Sequence, residues 1–347
     1  MDSMITIGVD FHKQTSTFKL LDSEGQVLSG KRIENSRQNL RLYLESIPSP
    51  KRLAVEATRS WALFYDCVHD LVDEFHLGHP KKMKAITSSQ TKNDSNDAHT
   101  LAKLLHSGYF PHAFVSSHEF RELRDLVRFR SFLASQRRAL RNQIHALVDR
   151  HIFPADRPQS FKNVFCKRGL TWLESLALPM NERFILDEAL NSFRGLNQRI
   201  EKMEAFLQMQ IPDWPDLTWL STVPGFRKSK VSAFVVLSET ADIERFKNAR
   251  SFAHYAGLIP REHSSGEKHH TGRLVTDANL TLRTAMIEIV FAAIRSDPGL
   301  KLYYQKVKEQ NSSSAAIVAT ARKLAYSIYH VLKERRAYRP ETPPAAA

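Results

Sequence analysis

The chain has 347 residues, 42% of them hydrophobic, so it can form two or three domains with real cores and is not a disordered tail. Its net charge of +13 at pH 7 indicates a polyanionic partner, for which nucleic acid fits better than a membrane. The sequence has no run of 18 apolar residues, no signal peptide and no zinc-type spacing around Cys67 and Cys166. We therefore expect a cytoplasmic protein with reduced cysteines and no membrane partner.

The first 115 residues predict an α/β domain. Apolar and β-branched runs indicate three successive strands, and acids, helices and further strands follow them. The expected elements are strands at 5–11, 15–21 and 27–34, a helix near 38–46, a strand ending at Glu56, a helix at about 61–74, a candidate fifth strand at 75–79 and a helix from about 95.

Four carboxylates stand at the ends of these elements. Asp10 and Glu56 each end an apolar strand, where a charge is costly to bury unless a metal ion or hydrogen bonds receive it. Asp94 and Asp97 are three residues apart at the start of a helix and so share one face. Together they offer the oxygen ligands that a pair of Mg²⁺ ions needs for phosphodiester chemistry. Taken singly, each acid also fits a structural role, such as a helix N-cap at Asp94.

Residues from about 117 to 210 predict two long helices joined by a connector that prolines break. Apolar residues follow a heptad spacing in which two seam positions are arginine, so the helices form an antiparallel hairpin or an intermolecular coiled coil. The basic face is either simply solvated or binds RNA or another acidic partner. The arginines expected to contact nucleic acid are Arg128, Arg130, Arg137, Arg138 and Arg141.

The chain starts a further region near residue 212. Residues 223–225, Val-Pro-Gly, precede a helix at 231–238 and resemble a helix-hairpin-helix entry, in which backbone amides meet a phosphate. A helix at 248–256 leads into a polar loop predicted at 257–273. Three more helices are expected at about 279–295, 299–309 and 314–335, and residues 339–347 form a Pro/Ala tail that we expect to be disordered.

The polar loop holds a candidate nucleophile in the pair Ser264 and Ser265. A serine hydroxyl is unreactive at neutral pH unless a base or a strongly positive setting activates it. Lys268 and Arg273 follow closely and are suited to bind a phosphate and its developing charge. From the residues alone, a flexible polar turn is the simpler interpretation.

These motifs, in this order, resemble those of one bacterial mobile-element family. The matching segments are Gly-Val-Asp-Phe-His-Lys at 8–13, Val-Glu-Ala-Thr at 55–58, Lys-Asn-Asp-Ser-Asn-Asp-Ala at 92–98 and Ser-Ser-Gly at 264–266. They are similar to the motifs of the insertion-sequence-110 family of DEDD transposases, which includes the pilin-gene invertase. The resemblance extends from about residue 5 to 335.

The resemblance implies a fold of three domains. They are a resolvase-like, ribonuclease H-like domain at 1–115, a helical coiled-coil arm at 116–211 and a helical C-terminal transposase domain at 212–338. It implies that Asp10, Glu56, Asp94 and Asp97 bind Mg²⁺, for which Mn²⁺ can substitute. Ser265, with Ser264 in reserve, would attack a DNA phosphate and form a transient covalent link.

The resemblance also implies partners. They are donor and target DNA at the nucleoid, a noncoding bridge RNA that pairs with both, and further copies of the chain in a homodimer or homotetramer. Lys268, Arg273 and Arg283 join the arm arginines as expected nucleic-acid contacts. Two alternatives stay open: a metal-only Holliday-junction nuclease or DNA invertase, and a catalytically inactive nucleic-acid-binding relative.

The sequence departs from the family pattern just after the candidate serine. Residues 276–278, Thr-Asp-Ala, lose a basic residue and a glycine. Asp277 brings a negative charge to a place where phosphate is expected, and Ala278 disfavours a positive φ. Both changes would weaken DNA docking or activity.

Overall fold

A computed structural model describes residues 4–86, 94–158, 163–226, 230–265, 268–275 and 277–340, with the side chains of Asp94 and of residues 261–273 outside that description. The chain divides into two compact units, residues 1–115 and 116–347. The predicted tail at 339–347 lies outside the described residues except for Arg339 and Pro340. No described helix is both long enough and apolar enough to span a bilayer.

The first unit is a five-stranded mixed sheet with helices on both faces. Its strand order is β3-β2-β1-β4-β5; β2 is antiparallel to both of its neighbours, and β1, β4 and β5 are parallel. The elements are β1 (Ile5–Phe11), β2 (Thr15–Leu21), β3 (Val27–Glu34), α1 (Arg37–Glu45), β4 (Lys51–Glu56), α2 (Trp61–Val68), β5 (Glu74–Gly78), α3 (Pro80–Ile86) and α4 (Asp94–His106).

The two faces of this sheet have separate cores because successive strand residues point to opposite sides. Ile7 and Val9 pack with α1 and α2 on one face. Ala54 packs with α4 on the other, where the helix contributes Leu101 and Leu105. The predicted α/β character of this unit is confirmed.

The prediction of one helix over 61–74 is wrong. Helix α2 ends at Val68, a single 3₁₀ turn follows at His69–Leu71, and β5 begins at Glu74. Strand β5 pairs with β4 from Arg52↔Glu74 onward, so sheet pairing outweighs the local helical preference. The short helix α3 was not predicted.

The second unit is helical apart from one hairpin. Its elements are α5 (His118–Val148), α6 (Lys167–Ser175), α7 (Met180–Met209), α8 (Asp216–Leu220), α9 (Lys230–Thr240), α10 (Ala249–Tyr255), β6 (Pro260–Ser265), β7 (Lys268–Leu274), α11 (Leu280–Ser296), α12 (Pro298–Gln310) and α13 (Ser313–Lys333). Helix α9 is buried from Ser232 to Thr240 and belongs to the largest apolar core among the described residues, together with residues of α10, α11 and α13.

Helices α5 and α7 pack antiparallel within the chain. Arg130 Nε donates to Glu204 at 3.0 Å and Arg137 Nη1 donates to Asn197 at 3.0 Å, so the two seam arginines meet polar partners on α7. Near the far end of the pair, Ile144 and Leu190 belong to a small separate core. Of the two predicted arrangements, the antiparallel hairpin is present in the chain, and helix α6 lies inside the connector predicted to be irregular.

The prediction of a loop over 257–273 is wrong. Strands β6 and β7 form an antiparallel hairpin in which Ser264 pairs with His269 and Ser265 with Lys268. The segment shows no apolar alternation, which is the signal that identifies a strand in a sequence. Pairing of backbone groups therefore defines this hairpin.

Candidate functional site

Two carboxylates meet at the same edge of the first unit's sheet. Strands β1 and β4 are adjacent and parallel, and Val9 pairs with Val55. Asp10 and Glu56 are the next residue on each strand, so they lie side by side at the carboxyl ends of the strands. Both are partly exposed, and the side chain of Asp10 is 17% exposed. The register of β1 and β4 thus explains why these two acids, far apart in the sequence, lie close together.

Helix α4 brings its first turn toward that edge. Position 8 lies directly beneath the helix: a Cβ on Gly8 would stand 2.0 Å from the carbonyl oxygen of Ala98. His106 is at the other end of α4, and a Cβ on Gly25 would lie 3.0 Å from its Nε2. Gly25 is in the β2–β3 turn, beyond the opposite end of β1. The helix therefore runs antiparallel to β1 and begins near Asp10.

This edge offers oxygen donors of the type that Mg²⁺ prefers. Asp97 is exposed on the first turn of α4, and the side chain of Asp94 lies outside the described residues. Within the part of the chain that is described, no three acid, histidine or cysteine side chains stand close enough to hold one metal ion. The donor types fit the metal, and the convergence of all four ligands stays a prediction.

A histidine contacts the carboxylate of Asp10. His12 Nε2 lies 3.0 Å from Asp10 Oδ2, and the two are joined by a hydrogen bond. Asn35 holds the backbone here, because its side-chain amide donates to the carbonyl of His12 at 2.7 Å and its Oδ1 accepts from Ser16 at 2.6 Å. These contacts fix the β1–β2 turn beside the acid.

The candidate serines end strand β6 in the second unit. Ser265 is the last residue of β6 and pairs with Lys268, the first residue of β7. Arg273 lies near the end of β7. The hairpin thus brings Ser265 and Lys268 together in register, while the roles proposed for these side chains lie outside what the structure describes.

Arg283, on the first turn of α11, reaches the base of the hairpin. Its Nη2 donates to the carbonyl of Val275, just after β7. Burial lowers the pKa of this guanidinium, and its Nε makes no hydrogen bond to any described atom although it is shielded from solvent. Arg283 therefore contacts the protein itself, and its proposed role in nucleic-acid binding stays a prediction.

Several arm arginines are engaged inside the chain. Arg128 donates from Nε and Nη2 to both carboxylate oxygens of Glu239 at 2.8 and 2.9 Å, and this hydrogen-bonded pairing raises its pKa. Arg130 pairs with Glu204, and Arg141 stacks 4.5 Å above the ring of Phe165.

The two remaining arginines of the proposed set differ. Arg137 meets Asn197, and burial lowers its pKa. Arg138 is exposed and, among the described residues, makes no hydrogen bond or ion pair; it lines a cleft of about 380 Å³ between α5, α9 and α11. Among the described residues, Arg138 thus differs from the other four arginines of the set, each of which contacts a residue of the second unit.

Residues that the sequence did not single out surround Glu239. The Asn279 side-chain amide donates to Glu239 Oε2 at 2.7 Å, and Tyr255 donates from its hydroxyl to the Glu239 carbonyl at 3.2 Å. Arg124 donates to the carbonyl of Ser238, and burial lowers its pKa. A single acid in the apolar run of α9 was the available signal, since such an acid requires buried donors.

The departure from the family pattern at 276–278 carries no backbone penalty at Ala278. Among the described non-glycine residues, only Ala241 and Arg335 have a positive φ. Asp277 is exposed. The expected conformational cost at Ala278 is therefore wrong, and the expected electrostatic effect of Asp277 stays a prediction.

Comparison with known proteins finds two matched regions in this chain. A family model of the IS110 DEDD type, described as "Transposase", matches residues 7–154, and one described as "Transposase IS116/IS110/IS902 family" matches residues 217–305. A "Probable family 20 transposase" of Pseudomonas aeruginosa is 24% identical over 96% of this chain and 98% of its own length. The transposase of insertion sequence element IS1111A of Coxiella burnetii is 24% identical over 98% of this chain and 92% of its own.

A shorter match is to the pilin gene-inverting protein of Moraxella lacunata, 24% identical over 43% of this chain and 48% of that protein. The fold, the two matched regions and these relatives define a transposase, an enzyme that recombines DNA. The chain belongs to the insertion-sequence-110 family of transposases.

Proposed function

We propose that this transposase cuts and rejoins DNA through a covalent serine–DNA intermediate, with Mg²⁺ held by Asp10, Glu56, Asp94 and Asp97. The observation that supports the proposal is that Asp10 and Glu56 lie side by side at one edge of the sheet, and that helix α4 begins near Asp10. The strand order β3-β2-β1-β4-β5, with β2 antiparallel to its neighbours, supports a ribonuclease H-like fold for this unit.

The proposed reaction is an exchange of phosphodiester bonds. The Oγ of Ser265 loses its proton and bonds to phosphorus, the bond from phosphorus to the leaving deoxyribose oxygen breaks, and that oxygen takes up a proton. Bound Mg²⁺ would supply a Lewis acid that favours the deprotonated nucleophile and offsets the developing negative charge. Lys268 and Arg273 would hold the scissile phosphate, and Ser264 is the reserve nucleophile.

We also propose that a noncoding bridge RNA reads the DNA sequence by base pairing, while the protein holds the backbones. A net charge of +13 and the exposed Arg138 support a nucleic-acid partner of this kind. We also propose, from the family resemblance, that the chain assembles into dimers or tetramers at the nucleoid, with the arm contributing a coiled coil between copies.

A denaturing gel tests the chemistry. Wild type, Ser265→Ala, Ser264→Ala and Asp10→Asn are incubated with Mg²⁺, labelled donor and target DNA, and the noncoding RNA transcribed beside the gene. We expect a protein–DNA band in wild type and Ser264→Ala that is lost in the other two variants. A matched control is Glu24→Gln, which changes an exposed acid of the same unit.

Other outcomes of the gel select the alternatives. A band retained in Ser265→Ala but lost in Ser264→Ala would make Ser264 the nucleophile. Cleavage without any protein–DNA band would indicate a metal-only nuclease, and binding without cleavage an inactive relative.

DNA inversion is a second candidate outcome of the same chemistry. The similarity to the pilin gene-inverting protein of Moraxella lacunata favours it, although that similarity covers less than half of either chain. A substrate carrying two sites on one DNA molecule separates the outcomes, because inversion keeps the length of the DNA between the sites and reverses its orientation, whereas excision releases it.

A further inference from the structure

A buried carboxylate lies at the junction of several helices of the second unit. Glu239, on α9, has a side chain only 1% exposed, and Arg128 and the Asn279 amide donate three hydrogen bonds to its two oxygens. Arg124 Nε adds positive charge 3.7 Å from Oε2. A carboxylate with several fixed, charge-assisted donors holds the elements that supply them in one arrangement.

Two of these elements bound the serine hairpin. Tyr255 ends α10 and precedes β6, and Asn279 follows β7 and caps α11 by accepting from Leu282 N at 3.0 Å. Asn279 Nδ2 donates to the Tyr255 hydroxyl at 3.0 Å, and Asn279 N donates to the Tyr255 carbonyl at 2.9 Å. Both residues also bond to Glu239. The two ends of the segment 256–278 are thus joined to each other and to one buried acid.

Arg283 contacts both chain segments at the base of the hairpin. Gly257 has a φ of +67°, and a Cβ there would stand 2.0 Å from Nη2 of Arg283, the atom that donates to the Val275 carbonyl. The chain before β6 and the chain after β7 therefore pack on the same guanidinium. Glycine is required at position 257 both for its φ and for this close approach.

We propose that Glu239 is the positioning residue of the β6–β7 hairpin. Through Tyr255 and Asn279 it fixes both ends of the segment that carries Ser264 and Ser265, and through Arg124 and Arg128 it ties that segment to α5. This inference rests on the proposed role of the serine. The contacts of Glu239 hold the hairpin and α5 in a fixed relative position. Nucleic acid bound on α5 is therefore held at a set distance from the nucleophile.

The test uses two mild substitutions in the full-length chain. Tyr255→Phe removes one hydroxyl and keeps the ring that lies 4.4 Å from the Arg245 guanidinium. Asn279→Ser keeps an oxygen able to cap α11 but is too short to reach Glu239. We expect each to lower the single-turnover rate of protein–DNA band formation at saturating DNA by about 10- to 100-fold, the cost of slight misplacement of a reacting group, with DNA affinity unchanged.

Two controls match these substitutions. Tyr329→Phe removes a buried hydroxyl that donates to the backbone carbonyl of Phe246 at 3.3 Å. Asn248→Ser changes the N-cap of α10, where the side chain accepts from Ser251 N at 2.9 Å. Neither hydrogen bond joins the ends of the hairpin, so both controls should form the band at the wild-type rate.

Hydrogen–deuterium exchange gives a readout that needs no catalysis. We expect faster exchange of the 260–274 amides in Tyr255→Phe and Asn279→Ser than in the controls, with exchange of α7 and α13 unchanged. Wild-type rates and wild-type exchange in both variants would overturn the inference and leave the serine chemistry standing. Faster exchange throughout the second unit would also overturn it, since the cluster would then be structural only. A wild-type protein that forms no protein–DNA band would refute the serine proposal. Hydrogen–deuterium exchange would still test whether Glu239 fixes the ends of the hairpin.

Discussion

Carboxylates occupy two contrasting settings in this transposase. Asp10 lies near the end of a strand with its side chain 17% exposed and contacts a histidine, whereas Glu239 is 1% exposed and faces two arginines and an amide. An acid that receives a metal ion or substrate needs solvent access and an open coordination side. An acid that holds a fold together is neutralised by fixed donors, because an unpaired buried charge is too costly. Burial thus distinguishes the role proposed for Asp10 from the ion pairing of Glu239.

Removing the charge of Asp10 should produce the largest effect on activity. Asp10→Asn keeps the shape of the side chain but loses the negative charge proposed to bind Mg²⁺. We expect DNA cleavage to fall on the order of 10³-fold or more, the scale for loss of one member of a catalytic set, with little change in the free energy of unfolding. Cleavage gels and urea unfolding measure the two quantities. A stable variant with near-normal cleavage would remove Asp10 from the site.

Removing the charge of Glu239 should mainly lower stability, whereas removing that of Asp10 should mainly lower activity. Glu239→Gln leaves the largely buried Arg124 without its counter-charge and weakens the pairing with the half-exposed Arg128, so we expect the free energy of unfolding to fall by about 3–5 kcal/mol. Glu204→Gln breaks an arginine pair that is partly exposed on the arm, and should cost less than about 1 kcal/mol. Urea unfolding of both variants checks the contrast, and equal losses would mean that burial of Glu239 does not set its role.

Because α4 packs closely on the sheet at Gly8, a larger residue there should lower both stability and DNA cleavage by an intermediate amount. In Gly8→Ala the new methyl group would meet the backbone of Ala98 and Ala102, so α4 must shift away from β1. We expect a loss of about 1–3 kcal/mol in the free energy of unfolding, as for overpacking elsewhere, together with weaker cleavage because Asp97 moves with the helix.

Gly195→Ala is the matched control for this change. Position 195 lies within α7, and a Cβ there meets nothing within 4 Å. The substitution should stabilise the protein by roughly 0.5–1 kcal/mol through helix propensity. A Gly8→Ala protein as stable as wild type would show that α4 can move without cost.

The sequence was informative where local pattern and tertiary structure agree. The first three strands were predicted at the bounds they have, since β-branched and apolar runs fit a pleated, half-buried surface. Two long helices were predicted between about residues 117 and 210, where α5 and α7 lie, because apolar spacing persists over many turns. The placement of Asp10 and Glu56 at one edge followed from the parallel register of their strands, which the alternation of helix and strand made predictable.

What the sequence missed depends on partners far along the chain. The hairpin β6–β7 has polar residues throughout, so no periodicity marks it. Arg128 and Arg130 looked like members of a nucleic-acid surface, and their acids lie 111 and 74 residues away, at Glu239 and Glu204. Nothing local distinguishes an arginine that meets solvent from one that neutralises a buried acid. The same holds for Asn279, which caps α11 and also donates to Glu239, 40 residues away along the chain.

Replacing the exposed Arg138 should give the smallest of the predicted effects, a change in RNA binding. It tests whether arginines that bind nucleic acid differ from those paired with acids of the protein. Both Arg130 and Arg138 line the same cleft, but Arg138 is exposed whereas Arg130 is paired with Glu204. If Arg138 contacts one phosphate of the RNA, Arg138→Ala should weaken RNA binding and reduce the slope of log affinity against log salt concentration by about 1, without changing stability.

Arg130→Ala is the comparison within the same helix. It should lower stability slightly and leave the salt slope unchanged, because its charge is already balanced inside the chain. Filter binding of the noncoding RNA over a range of salt concentrations measures both slopes. If both variants reduced the slope equally, an ion pair within the arm would not keep an arginine from nucleic acid, and the division between structural and binding arginines would have to be abandoned for this helix.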